Sequence, residues 1–392
     1  MSGPRVRPDD LLGIEDLFSD DERAVRAAAC EFTRRAIVPH IAEWFEAGGI
    51  PAMREIAREL GRLGALGMHL RGYGCAGSSA VDYGLTCLEL EAGDSAIRSF
   101  VSVQGSLAMF AIWRYGSEEQ KRQWLPSMAR GESIGCFGLT EPDHGSDPGS
   151  MRTTATRDGD DWILRGGKAW ITNGSLADVA IVWARADDGI RGFVVPTSTS
   201  GFAAPEIKHK LSLRASVTSE LVMDDVRLPS SAQLPLAHGL AAPLSCLNEA
   251  RYGIVWGAMG AARTAYETAL EYSKTRTQFG KPIGGFQLTQ AKLVDIAVEL
   301  NKGLLLALHL GRRKDAGTLT SEQVSFGKLN NTRAALEICR TARGVLGANG
   351  VSLEFPVIRH MANLESVLTY EGTVEMHTLV LGQALTGLSA FR

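Results

Sequence analysis

The sequence predicts a mainly α-helical protein with a β domain in the middle. Apolar residues recur at helical spacing in the first third of the chain and again in three long segments near its end. Between them lie short β-branched and aromatic runs divided by Asp-Gly and Gly-Gly turns. These observations predict a helical domain over residues 1–132, a β domain over 133–247 and a helical bundle over 248–392.

Capping signals and apolar periodicity predict the helices of the first domain. The stretch SDDE at residues 19–22 has the pattern of a capping box, in which a serine hydroxyl and a glutamate side chain satisfy free amides at a helix start. Residues 52–66 show helical apolar spacing, and SEEQ at 117–120 begins another capped segment that ends near residue 131. This part of the chain is therefore predicted to be helical.

Short strands and tight turns predict the middle domain, and long periodic segments predict the last one. The strand-like runs are TTATRDGDDWILRGGKAWIT, VAIVWARADDGIRGFVVP and SELVMDDVRLP, which suit a small barrel or sandwich. The later helical segments cover 248–275, 286–315 and 320–346, the last of which begins with the capping box TSEQ. A shorter helical pair is predicted on either side of TYEGT.

Composition excludes several classes of function. Lys and Arg total 41 against 44 Asp and Glu, so no basic surplus favours nucleic acid or an acidic membrane surface as a partner. The six cysteines form no C-x-x-C pair and the eight histidines no close pair, so no metal site is expected. We expect no signal peptide, because the start of the chain lacks an apolar core, and no membrane span, because no uninterrupted apolar stretch is predicted to be long enough to cross a bilayer. We therefore expect a cytoplasmic protein.

Two stretches in the middle domain are candidate ligand contacts. CFGLTEPDHGSDPGS, from residue 136, is a polar loop with glycines and free backbone amides. In KAWITN, from residue 168, Trp170 and Thr172 share one strand face if side chains alternate with period two. A β-turn and a core tryptophan explain these stretches equally well from the residues alone.

Glu371 is a candidate general base. It lies between Tyr370 and Gly372 in TYEGT, at a predicted helix boundary where glycine permits close backbone approach. A carboxylate shielded from water there has a raised pKa that suits proton abstraction. The alternative is a glutamate in the first turn of a helix, stabilised by the helix dipole.

Arg98 is the single full charge in the small and apolar stretch SAIRSFVSVQGSLAMF. An arginine is rarely buried without a partner, because its desolvation is costly. On one continuous helix Glu91, Ser95, Arg98 and Ser102 face the same side. The partner of Arg98 is then either a ligand carboxylate or an internal carboxylate, Glu91 or Asp94.

A set of motifs in chain order resembles the acyl-CoA dehydrogenase family. The motifs are FGLTEPxxGSD, WITN, ARYG, RxQFGK, GxNG and TYEGT, and the likeness extends from about residue 20 to the C-terminus. The resemblance implies a helical N-terminal domain, a middle β-barrel or sandwich and a C-terminal four-helix bundle. It also implies FAD as cofactor, a homotetramer, and an electron-transfer flavoprotein as electron acceptor.

The resemblance implies roles for individual residues. Glu371 resembles the base that takes an α-proton from an acyl-CoA thioester while a β-hydride passes to the flavin. Asn248 and Arg251 match residues near the CoA pantetheine. Phe137, Leu139, Thr140, Gly145, Ser146, Trp170, Thr172, Gly347, Thr373 and Glu375 match flavin-contacting positions, with Ser146 also expected near the substrate. Arg276, Gln278 and Phe279 match a segment that a neighbouring subunit offers to the FAD, with Gln287 alongside.

Around Arg98 the chain is similar to the glutaryl-CoA dehydrogenase branch of that family. RSFVSVQ matches the branch motif R-S-x-x-S-V-Q, which implies that Arg98, with Ser99 and Ser102 beside it, holds the γ-carboxylate of a dicarboxylyl-CoA. Glu91 and Tyr370 match other polar pocket residues of the branch. The resemblance thus favours oxidation of glutaryl-CoA and its decarboxylation to crotonyl-CoA and carbon dioxide.

Other functions stay open from the sequence. An enzyme for a longer substrate such as adipyl-CoA would act as a dehydrogenase without decarboxylation or, in the opposite direction, as a 5-carboxy-2-pentenoyl-CoA reductase. An acyl-CoA oxidase would reoxidise the flavin with oxygen, although the extra C-terminal domain of many such oxidases is missing here. A non-catalytic flavin-binding scaffold is disfavoured by an intact Glu371.

Overall fold

Helices occupy both ends of the chain and strands its middle, in a computed structural model that describes residues 7, 8 and 10–390. The predicted fold class, mainly α with a middle β domain, is confirmed. The N-terminal part consists of α1 (Asp20–Ala36), α2 (Ile41–Ala47), α3 (Met53–Arg62), the short strands β1 (Arg71–Gly72) and β2 (Cys75–Ala76), α4 (Ala80–Gly93), α5 (Ser95–Ser102), α6 (Phe110–Tyr115) and α7 (Glu118–Ala129).

The middle part is one mixed sheet that curls around its own apolar core. Its strands are β3 (Gly135–Gly138), β4 (Thr154–Asp158), β5 (Asp161–Thr172), β6 (Val179–Ala186), β7 (Gly189–Pro196), β8 (Phe202–Ala203) and β9 (Thr218–Pro229). Their order is β3-β6-β4-β5-β9-β8, with β7 paired to β6, and β3 lies parallel to β6. Trp162, Val182, Phe193 and Val226, from four of these strands, share one buried cluster, so the sheet is bent over that core.

The C-terminal part is a helical bundle built on three long helices. It consists of α8 (Ala241–Thr275), the short hairpin strands β10 (Thr277–Gln278) and β11 (Lys281–Pro282), α9 (Gln287–Asp315), α10 (Ser321–Leu346), α11 (Val357–Thr369) and α12 (Val374–Thr386). Helix α8 begins seven residues before the predicted position 248. Pro243 is compatible with that start, because the first amides of a helix have no intrahelical acceptor.

Local signals placed the helix starts better than the helix ends. The capping boxes predicted at residues 19–22, 117–120 and 320–323 all form, each with both reciprocal hydrogen bonds. Helix α3 is shorter than the predicted 52–66, because Gly64 adopts a φ of 74° and ends it. The boundaries of the three domains remain proposals.

Glycines let α4 and α8 approach each other closely. A Cβ atom on Gly260 would overlap the backbone carbonyl of Leu88, and one on Gly257 would overlap the carboxylate of Glu91. The absence of side chains at these positions brings the helix backbones together and leaves room for a buried charge between them. This packing places Glu91 where α5 begins.

The stretch Ser95–Tyr115 is helical throughout and includes a π-helical segment over Val103–Met109. By length and composition it is apolar enough to cross a membrane, which the sequence prediction had not recognised. In the structure 94% of its apolar window is buried inside the protein, so its apolar residues pack as a core helix.

Candidate active site

The loop of residues 370–372, here called the base loop, joins α11 to α12 and presents Glu371. Glu371 has a φ of 55°, which is unusual for a residue with a side chain, and Gly372 follows with a φ of 101°. The Glu371 Oε2 atom is buried and has no hydrogen-bond partner among the described residues. Burial raises the pKa of Glu371 above its ordinary value, although Arg98, Lys328 and Arg251 oppose the shift.

The alternative for Glu371, a first-turn glutamate stabilised by a helix dipole, is wrong. Helix α12 begins at Val374, and Thr373 caps it by accepting a hydrogen bond from the Met376 amide. The acidic residue in the first turn is Glu375, which is exposed. Glu371 therefore lies before the helix and is held by tertiary contacts.

Two cations, buried Lys328 and half-buried Arg251, hold the backbone of the base loop. Lys328 Nζ donates hydrogen bonds to Tyr370 O at 2.5 Å and to Gly372 O at 2.6 Å. Arg251 Nε donates to Glu371 O at 2.7 Å, while its Nη1 donates to Asn248 Oδ1 at 3.1 Å. Asn248 and Arg251, predicted near the CoA pantetheine, thus lie directly beside the base loop.

The helix that carries Arg98 is interrupted, contrary to the prediction of one continuous face. Asp94 is extended between α4 and α5 and caps α5 by accepting from the Ala96 amide at 2.7 Å. Glu91 and Arg98 therefore stand on different helices, yet they meet across the break. The interruption arises because the Asp94 side chain satisfies the free amide of a new helix start.

Arg98 is fully buried and makes an internal ion pair. Its Nε donates to Glu91 Oε2 at 2.6 Å, and Ser95 Oγ donates to Glu91 Oε1 at 2.8 Å. Asp94 is not its partner, because Asp94 contacts Arg359 and accepts from Asn363 Nδ2 at 2.8 Å. Burial disfavours the charged guanidinium, but Glu91 outweighs that effect and the pKa of Arg98 lies above its ordinary value.

The ion pair does not saturate Arg98. Its Nη2 donates to the Tyr370 hydroxyl, whereas its Nη1 is buried without a hydrogen-bond partner in the described part of the chain. Ser102 Oγ, one helical turn further along, is buried and unpartnered in the same sense. Ser99 is also buried, but no described hydrogen bond joins it to Arg98. Arg98 Nη1 and Ser102 Oγ therefore remain available to a ligand.

A buried Lys–Glu pair anchors the loop and the strand that are predicted to contact the flavin. Lys168 Nζ donates to Glu141 Oε1 at 2.8 Å and to Leu139 O at 3.2 Å. Glu141 also accepts from the amides of Arg152 and Thr153, and these contacts outweigh burial and lower its pKa to about 2. Phe137 and Leu139 are buried, Thr140 is half-buried, and Gly145 and Ser146 are exposed on the loop that this pair anchors.

Trp170 lies on the surface and is not a core tryptophan. The pairing of β5 with β9 shifts between Lys168 and Ile171, and Trp170 adopts a φ of 62° at that bulge. The bulge interrupts the regular alternation after Lys168, but exposed Trp170 and half-buried Thr172 are still separated by buried Ile171, which is consistent with the predicted shared face. Trp170 is 63% exposed, and the neighbouring Ala169 amide donates to Thr140 O at 2.9 Å.

These residues fit a bound FAD. The exposed indole of Trp170 offers a flat apolar face, and Thr140, whose carbonyl accepts from the Ala169 amide next to Trp170, offers a hydroxyl, as a fused aromatic ring with carbonyl groups requires. A Cβ atom added to Gly145 would meet nothing within 4 Å, so the exposed loop is open at this position.

The remaining predicted cofactor contacts are not joined to this region within one chain. Phe279, at the tip of the β10–β11 hairpin, has a φ of 49° and is 94% exposed. No described hydrogen bond, ion pair or ring contact links Arg276, Gln278, Phe279 or Gln287 to the base loop or to Trp170. Gly347 and Glu375 are likewise exposed, and Thr373 is half-buried.

Sequence reasoning missed Lys328, Lys168 and Glu141. Lys328 follows buried Val324 by four residues and precedes buried Asn331 and Thr332, so its position on the buried face of α10 was readable from helical spacing. The role of Lys328 could not be predicted in this way, because the carbonyl groups that it contacts lie in the base loop, far from α10 in sequence. No group of three or more potential metal-binding side chains occurs among the residues that the structure describes.

Comparisons with known proteins agree with this architecture. Models of the acyl-CoA dehydrogenase N-terminal, middle and C-terminal domains match residues 19–132, 136–226 and 237–386. A crystal structure of glutaryl-CoA dehydrogenase from Mycobacterium smegmatis is 69% identical, with a TM-score of 0.97 over 99% of this chain and 100% of that chain. A glutaryl-CoA dehydrogenase from the same organism in complex with FADH2 is 62% identical, with the same TM-score and coverage.

A further relative is more distant. The mitochondrial short-chain specific acyl-CoA dehydrogenase of Bos taurus is 33% identical over 369 residues, which cover 92% of this chain and 89% of that protein. The match extends over all three parts of the fold, and the predicted cofactor, FAD, is that of the family. The chain therefore belongs to the acyl-CoA dehydrogenase family and is an FAD-dependent oxidoreductase of acyl-CoA thioesters.

Proposed function

We propose that the substrate is a dicarboxylyl-CoA, specifically glutaryl-CoA, which the enzyme oxidises and decarboxylates to crotonyl-CoA and carbon dioxide. The observation that carries the proposal is the buried Nη1 of Arg98, which has no partner among the described residues although the rest of its guanidinium is bound. A buried N–H group without an acceptor costs free energy that a ligand carboxylate would recover.

A carboxylate explains this site better than an alkyl chain does. The end of a monocarboxylic acyl chain would leave Arg98 Nη1 and Ser102 Oγ desolvated and unpaired. A carboxylate has two oxygens, one for each of these donors. The similarity to two glutaryl-CoA dehydrogenases at 69% and 62% identity supports the same choice.

The relation between Arg98 and Glu371 favours a short diacid. Tyr370 precedes the proposed base, and its hydroxyl accepts a hydrogen bond from Arg98. The charge of Arg98 also acts on the Glu371 carboxylate, so the two groups are neighbours. We propose that a five-carbon diacyl group spans them, with its far carboxylate at Arg98 and its α-carbon near Glu371.

Glu371 is proposed to hold the α-proton. Its carboxylate removes that proton from the thioester, while bound FAD supplies the acceptor for the β-hydride. No described hydrogen bond is donated by the Glu371 amide, which leaves that N–H free to polarise the thioester carbonyl. Arg251 and Lys328 hold the neighbouring carbonyls and so fix the direction of this amide.

Decarboxylation is proposed to follow at the same site. The bond between the γ-carboxylate and the carbon beside it breaks, carbon dioxide leaves, and its bonding electron pair remains in a dienolate conjugated with the thioester. Protonated Glu371 then returns its proton and crotonyl-CoA results. Glu91 remains beside Arg98 throughout, so loss of the ligand carboxylate does not leave an uncompensated buried cation.

The electron acceptor, the assembly and the compartment belong to the proposal as well. We propose an electron-transfer flavoprotein as acceptor, a homotetramer and a cytoplasmic location, in line with the family resemblance. Phe279 and Gln278 are exposed, and no described contact within one chain joins them to the base loop or to Trp170. Their exposure supports contact with a second copy of the chain.

Anaerobic bleaching of the flavin tests the substrate. The purified yellow holoenzyme is mixed with glutaryl-CoA, adipyl-CoA or butyryl-CoA, and carbon dioxide and CoA products are measured under turnover with an artificial acceptor. We expect the highest kcat/KM with glutaryl-CoA, together with equal amounts of crotonyl-CoA and carbon dioxide. Preference for adipyl-CoA without carbon dioxide would indicate a non-decarboxylating enzyme, and preference for butyryl-CoA would reduce Arg98 to an internal ion pair.

A further inference from the structure

Cations hold all three carbonyl groups of the base loop. Lys328 Nζ bridges Tyr370 O and Gly372 O, at 2.5 and 2.6 Å, and Arg251 Nε binds the carbonyl of Glu371 between them at 2.7 Å. The described hydrogen bonds to the three loop carbonyls therefore come from α8 and α10, which are far from the loop in sequence. The loop and its two cations form a carbonyl clamp.

The clamp sustains a backbone conformation that the loop residues would not adopt readily. Carbonyls at a helix end have lost their intrahelical donors, and the left-handed φ of Glu371 is disfavoured for a residue with a Cβ. Such a conformation persists where the surroundings over-determine it, and it is often found at reactive sites. Lys328 supplies two of the three determining contacts from one atom.

We propose that Lys328 is a positioning residue for the proton transfer, in which its ammonium group fixes the base loop through two carbonyls and its charge favours the carboxylate form of Glu371. The inference rests on the proposed role of Glu371 as the base. Lys328 acts through the loop and is not required to touch the substrate.

The charged and titratable groups around the loop determine the sign of the electrostatic effect. They are Arg98 on α5, Arg251 on α8, Lys328 on α10, Tyr370 in the loop and His377 on α12, with Glu91 behind Arg98. Burial lowers the pKa of His377 to about 3, so the imidazole is neutral near pH 7. Burial also lowers the pKa of Lys328 to about 7, while the charge of Glu371 opposes that shift. Removal of the Lys328 cation therefore raises the pKa of Glu371.

The test compares Lys328→Met and Lys328→Gln with the wild-type holoenzyme. Lys302→Met is a matched control, because Lys302 is a surface lysine of α9 that pairs with Glu299. We measure FAD content, melting temperature, kcat and KM with glutaryl-CoA, and the pH profile of kcat.

For Lys328→Met we expect bound FAD, kcat at least a hundredfold lower, KM within about threefold, and an acidic limb about one pH unit higher. Lys328→Gln should share the shifted limb with a smaller loss of kcat, because its amide can still donate to a carbonyl.

A merely structural lysine would give a different result. Variants with a lower melting temperature that keep the wild-type acidic limb, and a kcat within about threefold of the wild-type value, would overturn the proposal. If neither variant folds, Lys328→Arg is assayed instead: because it keeps the cation, its acidic limb should stay at the wild-type position, and a shifted limb would overturn the proposal. Glu371→Gln is assayed alongside: turnover retained there contradicts the base assignment itself, whereas loss of turnover there with normal Lys328 variants contradicts only the clamp.

Discussion

Among the described residues, two buried pairs of a cation and a glutamate differ in how completely their polar atoms are hydrogen-bonded. Lys168 and Glu141, in the middle domain, are surrounded by partners: the lysine has two acceptors, and the carboxylate accepts from the lysine and two backbone amides. Arg98 and Glu91, in the N-terminal domain, form a slightly shorter ion pair, but one guanidinium nitrogen has no partner in the described chain.

The difference separates a structural pair from a pair that faces a ligand. Buried charge alone does not mark a functional site, because a closed network can simply anchor a loop. Buried polar atoms left over after pairing are more informative, since native proteins rarely leave them unsatisfied. Here the leftover atoms, Arg98 Nη1 and Ser102 Oγ, lie on one helix face near the proposed base.

Replacement of Arg98 should have the largest effect, and it should depend on the substrate. We expect Arg98→Met to lower kcat/KM for glutaryl-CoA about a thousandfold, or about 4 kcal/mol, because the ligand carboxylate is then buried without a partner. Activity with butyryl-CoA should be retained. The double variant Arg98→Met with Glu91→Gln is the control, since it removes the stranded Glu91 charge. Equal losses with both substrates would contradict the assigned role.

Replacement of Lys168 should instead reduce stability without changing selectivity. We expect Lys168→Met to lower the free energy of unfolding by about 3 kcal/mol, because Glu141 keeps a buried charge without its cation. Thermal melting and FAD retention measure this effect, and the ratio of activities with glutaryl-CoA and butyryl-CoA should stay constant. A changed ratio would show that Lys168 and Glu141 also face the substrate. The distinction between this pair and the Arg98–Glu91 pair would then be lost.

Removal of the Ser102 hydroxyl should have the smallest effect. Ser102→Ala deletes a buried group with no described partner, so the melting temperature should change little. If the hydroxyl binds the ligand carboxylate, kcat/KM for glutaryl-CoA falls about tenfold, which corresponds to one hydrogen bond to a charged group. Thr33→Val is the matched control, because it removes another buried hydroxyl without a described partner, on α1. A decrease for Thr33→Val equal to that for Ser102→Ala would point to packing as the cause.

The sequence predicted elements whose determinants are local. Capping boxes and helical periodicity placed α1, α7 and α10, and β-branched runs divided by Gly turns placed β4 to β7 and β9. The motif set predicted the family and FAD. Strands as short as β3 and β8 were not predicted, because four or two residues carry too little periodicity to be distinguished from loops.

The site was predicted less completely, because its geometry depends on breaks in regular structure. The interruption at Asp94 invalidated the argument from one continuous helix, and the bulge at Trp170 was not predicted. Glu371 was identified as a candidate base, but its left-handed backbone and the two cations that hold it were not. The carry-over of individual flavin and CoA contacts from the family remains a prediction.

What the sequence by itself determined was the order of helices and strands, the family, and the residue types available for chemistry. These follow from interactions between residues a few positions apart and from motifs written in consecutive letters. Only the tertiary structure decided that Arg98 pairs with Glu91 across a helix break yet keeps one donor without a described partner, and that Lys328 reaches Tyr370 in the base loop, 42 positions further along the chain. Hydrogen bonds between distant segments depend on how helices pack, and that packing has no local signature in the sequence.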